Sequence, residues 1–65
     1  MNKDDCIVGR RVKTKSSVKD HPAKVGIIAK VGMQLGYDIV FVKFDHVSRE
    51  YGFAPEELYA VGRYA

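Results

Sequence analysis

The stretch from Tyr37 to Phe44, YDIVFVKF, limits what this chain can become more than any other part of it. β-Branched and aromatic side chains dominate it, and it holds neither Gly nor Pro, which is the composition of a β-strand. Successive side chains of a strand point to opposite faces, so Val40, Val42 and Phe44 share one face and Tyr37, Ile39 and Phe41 the other. Both faces are apolar. A chain of 65 residues builds one small domain with one core, and that core takes one face only. Burying a side chain such as Phe or Ile is worth about 1.5–3 kcal/mol, a large part of what stabilises a domain this small. Something should therefore cover Ile39 and Phe41. The chain itself offers Val18, in a long first loop, or Ile7, ahead of the first strand. The other cover is a second copy or a partner protein, because contiguous exposed apolar patches mark interaction sites.

The remaining sequence has the same all-β character, with Gly and Pro punctuating short apolar runs. Arg10 to Lys15 alternates, with Val12 and Thr14 on one side and Arg11, Lys13 and Lys15 on the other, and reads as a first strand with a basic face. Ser16 to Lys24 contains Pro22 and reads as a loop. Val25 to Val31 is a second strand, with Val25, Ile27, Ala29 and Val31 on one face and Gly26, Ile28 and Lys30 on the other. Gly32 to Gly36 supplies a hairpin loop into Tyr37–Phe44. Arg49 to Ala54 makes a short fourth strand, Pro55 opens a single helical turn followed by two acids, and Tyr59 to Val61 closes the set. The ordered core is expected over about residues 7–62 of a single domain, 1–65, with Arg63 to Ala65 fraying.

Five short strands, a long first loop and one 3₁₀ turn before the last strand are the plan of an SH3-like five-stranded small barrel. The residues that carry the likeness are Val8-Gly9-Arg10-Arg11-Val12, the run Val25 to Val31, Val40 to Asp45, and Phe53 to Val61. The chain resembles KOW-type and Tudor-like barrels, the PsaE-type accessory subunit of photosystem I, short barrel proteins of phages and mobile elements, and the plasmid-type dihydrofolate reductase. The reductase is an oligomeric enzyme whose site forms at the subunit interface, in a strand reading Val-Gln-Ile-Tyr. The corresponding place here reads Arg49-Glu50-Tyr51-Gly52, a departure that speaks against reductase activity. Barrels of this kind host unrelated tasks, so the likeness implies a fold and leaves the function open.

Catalytic constellations are thin. His21 and His46 stand in no metal-ligand spacing and read as surface loop histidines. Cys6, the lone cysteine, has no His beside it to act as a base and reads as a partly buried structural thiol. Glu56 and Glu57 are explained by a helix start. No catalytic residue, cofactor or metal is assigned. The formal net charge of +3 allows nucleic acid as a partner, and its cations fall mostly in the first half of the chain. Arg10, Arg11, Lys13, Lys15 and Lys24 are the candidate phosphate contacts, although lysines on an exposed strand also discourage edge pairing. No signal peptide or membrane span is visible, and the single cysteine fits a reducing, cytoplasmic setting. The expectation is a non-enzymatic adaptor making protein contacts, by self-association or with another protein, through Tyr37, Ile39 and Phe41. The alternatives are a nucleic-acid-binding barrel and an interface-built enzyme.

Overall fold

The structure, a computed structural model, describes residues 1–61. Five strands appear in it: β1 (Arg11–Thr14), β2 (Val25–Gln34), β3 (Tyr37–Phe44), β4 (Glu50–Phe53) and β5 (Leu58–Ala60). Short 3₁₀ turns lie at Lys3–Asp5 and Pro55–Glu57. The stretch 63–65, expected to fray, lies outside the described residues.

The strands form one antiparallel sheet in the order β4-β3-β2-β1-β5. β4 and β5 do not pair, so the sheet is not closed into a barrel. The chain passes between these two edges through the 3₁₀ turn, where Pro55 has no N–H to offer a neighbouring strand. Glu57 holds the turn: its Oε1 accepts the Ala54 N–H at 2.9 Å, while its own N–H donates to the Ala54 carbonyl at 2.9 Å. The helix-start reading of this acid is thereby given a definite partner.

The sheet buries one face. Val12, Ile28, Val40, Val42 and Leu58 are fully enclosed, with Phe44 and Phe53 nearly so. Thr14 is the buried polar residue. Its Oγ1 donates to the His21 carbonyl and accepts the Lys24 N–H at 2.8 Å, which satisfies a buried hydroxyl and ties the second half of the loop to β1. Val18, from the same loop, also enters the core.

Two features of β2 differ from the sequence reading. Strict alternation fails because a bulge intervenes: Ile28 pairs with Val42 but Lys30 pairs with Phe41, leaving Ala29 as the extra residue. A bulge reverses the parity of everything after it, so Ile28 and Val31 both face the core while Ile27 and Lys30 face outward. The hairpin loop is also shorter than expected. Gln34 pairs with Tyr37, leaving only Leu35 and Gly36, both with positive φ (52° and 81°). That is the geometry of a two-residue hairpin whose twist matches its strands, and it frees Gly32 to join the strand. Gly36 suits it because it lacks the Cβ that disfavours positive φ.

Candidate docking surface

Because β3 alternates without interruption, Tyr37, Ile39 and Phe41 all face away from the core formed by Val40, Val42 and Phe44. Tyr37 is 76% exposed, and Ile39 and Phe41 are half-buried. Neither expected cover lies over them. Val18 is in the core beside His21, Tyr51 and Phe53, and Ile7 is 56% exposed. What shelters Phe41 is its own sheet. Gly32 and Gly52 stand on the strands either side of it, so its ring lies over bare backbone; a Cβ on Gly52 would come within 3.1 Å of Ile39 and 3.4 Å of Phe41. The Lys30 ammonium sits 5.6 Å from the Phe41 ring centre, a cation–π contact from the neighbouring strand.

Ile39 and Phe41 open onto a cleft of about 1000 Å³. One wall is the end of β4 and the 3₁₀ turn, from Gly52 to Glu56, and the other is the segment Met1 to Lys3. Lys3 is paired with Asp38 at 3.6 Å. Glu56, exposed on the far wall, has no ion-pair partner among the described residues. The cleft runs beside the outer edge of β4, which pairs with no strand among the described residues.

The five candidate phosphate contacts do not share a face. Arg11 and Lys13 point outward from β1, opposite Ile27 and Val25. Arg10 has the other parity and turns back to Asp5, donating to its carbonyl at 2.6 Å. Lys24 stands opposite Thr14, on the core side of the sheet, with Nζ 5.9 Å from the Phe44 ring. Lys15 is exposed just beyond β1. Arg11 pairs with Asp45 at 3.3 Å. Lys30 and Lys43 join the outward set: Lys30 through the bulge, and Lys43 by the alternation of β3, with the register setting it beside Ile27.

His21 is not the surface loop histidine expected. Its ring packs 4.4 Å from Tyr51 and 5.3 Å from Phe44, centre to centre, with Phe53 edge-on at 6.1 Å. Thr14 holding its carbonyl draws the loop inward, so that the imidazole fills the end of the core. His46 is exposed in the turn after β3, with φ 66°.

Cys6 is buried, its Sγ donating to the Asn2 carbonyl at 3.4 Å. Burial pushes its thiol above the ordinary value, and the Asp5 charge adds to the effect against the opposing N-terminal ammonium. The unfolded thiol ionises near pH 9.0 and the folded one only at higher pH, so the folded state binds more protons in between and stability falls as pH rises past that point. The expected result is a wild-type stability, measured in urea, that falls as pH rises above 9.0 by more than that of Cys6→Ala. Equal pH dependence of the two proteins would remove this account.

Among the described residues no three of His, Cys, Asp and Glu gather where they could hold a metal ion, and no helix is long and apolar enough to cross a membrane. Compared with protein-family models, with curated proteins and with solved structures, the chain matches none.

Proposed function

We propose that the chain is a non-enzymatic binding module of the SH3-like kind, whose cleft takes an extended segment of a partner protein. The observation that carries this reading is the pair Ile39 and Phe41, half-buried over Gly32 and Gly52 beside an unpaired strand edge. An added strand along β4 would satisfy that edge through backbone hydrogen bonds and set alternate side chains into the cleft. Glycine at position 52 leaves room for them. Since Glu56 is a carboxylate of the cleft with no ion-pair partner among the described residues, the segment that fits combines apolar residues with a lysine or arginine.

Selection from a display library of short peptides tests the proposal. Apolar peptides with a basic residue should be enriched. Phe41→Glu should weaken them at least about tenfold, or about 1.4 kcal/mol, with an unchanged circular dichroism spectrum. Glu56→Lys, at an exposed position, should turn the preference toward acidic peptides, which keeps the test informative if Phe41→Glu fails to fold. Absence of enrichment, or indifference to both variants, would sink the reading. A dimer in solution that Phe41→Glu dissociates would replace the foreign segment with a second copy.

A further inference from the structure

We infer that a second part of the outer face, across β1, β2, β3 and β5, binds single-stranded nucleic acid through Arg11, Lys13 and Lys43, with Ile27 between Arg11 and Lys43 and Tyr59 beside Lys13 at the β5 edge. This goes beyond the cleft and uses none of its residues. The strand register builds the surface in two rungs. Lys43, Ile27 and Arg11 lie side by side on β3, β2 and β1, and in the next rung Val25, Lys13 and Tyr59 lie side by side on β2, β1 and β5. Neighbouring strands stand about 4.8 Å apart, so each cation is one strand from an apolar side chain: Lys43 and Arg11 flank Ile27 in the first rung, and Lys13 stands between Val25 and Tyr59 in the second.

Ile27 is 39% exposed and Tyr59 43% exposed, an aliphatic and an aromatic surface open to a base. No outward position of β1, β2 or β5 is acidic. The acids that approach the patch are Asp45, on Arg11 at 3.3 Å, and Glu50, opposite Lys43. Both lie toward the β3–β4 side; on the Lys13–Tyr59 side the acid next in the ladder, Glu57 opposite Lys15, turns its carboxylate to the Ala54 N–H. Cations track a phosphate backbone, and aromatic faces stack bases without demanding a sequence. Duplex DNA fits less well, because stacking needs bases free of partners. An acidic protein segment meets the same cations but makes no use of the flat Tyr59 ring.

The test is fluorescence anisotropy of the full chain with a labelled oligo(dT) of about 12 nucleotides, within the span one small barrel covers, between about 50 and 200 mM salt. Saturable binding that weakens with salt is expected. Lys13→Gln with Lys43→Gln should weaken it about tenfold or more and flatten the salt slope by about 1.4, at about 0.7 per phosphate contact. Tyr59→Ala should weaken it about fivefold or more at every salt concentration, the loss of one stacked base. Lys24→Gln removes one lysine charge from the core side of the sheet and should leave binding unchanged. Three results would overturn the inference: no binding at the lowest salt, equal weakening by Lys24→Gln, or displacement of the oligonucleotide by polyglutamate at matched charge. Each leaves the cleft reading untouched, because Phe41 and Glu56 are not part of this patch.

Discussion

Replacing Gly26 by alanine is expected to destabilise the protein by about 3 kcal/mol or more, the upper end of what forced overpacking costs. Gly26 lies in β2 between Val12 on β1 and Phe44 on β3. A Cβ placed there meets the Lys43 carbonyl oxygen at 2.6 Å, a Val42 methyl at 2.7 Å and the Phe44 Cα at 3.0 Å. Two of these three atoms are backbone, so no rotamer change relieves the clash; β2 and β3 must separate. That hairpin is the spine of the sheet, with the longest ladder in the fold. At about 0.05–0.15 kcal/mol per residue a domain of this size has only about 3–10 kcal/mol to lose, so the variant should be largely unfolded at room temperature. Urea titration followed by circular dichroism measures it. A midpoint close to that of the wild type would mean that the strands yield easily, and the tight-approach argument would fail. Gly52→Ala, whose nearest obstacle at 3.1 Å is a side-chain methyl, should cost far less.

Phe44→Ala should cost about 3–5 kcal/mol, the usual range for emptying a buried aromatic site. Phe44 is almost wholly enclosed and shares a cluster with His21, Tyr51 and Phe53, its ring 5.7 Å from each of the last two. Removing it also strands His21, whose ring lies 5.3 Å away, so the loop from Ser16 to Lys24 should become more open to proteolysis. Phe41→Ala provides the internal comparison. It is the same change on the same strand but on the outer face, and it should cost less than about 2 kcal/mol because that ring is already partly exposed and lies over glycine backbone. Equal losses at the two positions would show that the strand does not separate an inner from an outer face as described.

Much of this was legible in the residues themselves. Tyr37–Phe44 forms a strand with the expected bounds, and Val12 and Thr14 face inward as the alternation of β1 requires. Pro55 followed by two acids gives the 3₁₀ turn. These are local matters: propensity, a period of two and a proline-fixed φ act over a few residues. The candidate surfaces were legible only in part. Tyr37, Ile39 and Phe41 face outward as expected, but the glycines that shelter Phe41 come from other strands. The basic set lost its unity because Arg10 and Lys24 have the parity opposite to Arg11 and Lys13, while Lys30 arrives through the bulge and Lys43, outward by the alternation of β3, is brought beside Ile27 by the register.

The order of short strands, the two faces of β3 and the turn before β5 were thus determined by the sequence alone, since each follows from contacts between residues near one another in the chain. Which side chains meet across strands was decided only by the tertiary structure. Inserting Ala29 as a bulge reverses the faces of everything after it in β2, and folding the first loop inward places His21 among aromatics instead of in water. Such outcomes depend on closing long loops against the entropy of the chain to bury a shared core, a balance no single segment contains.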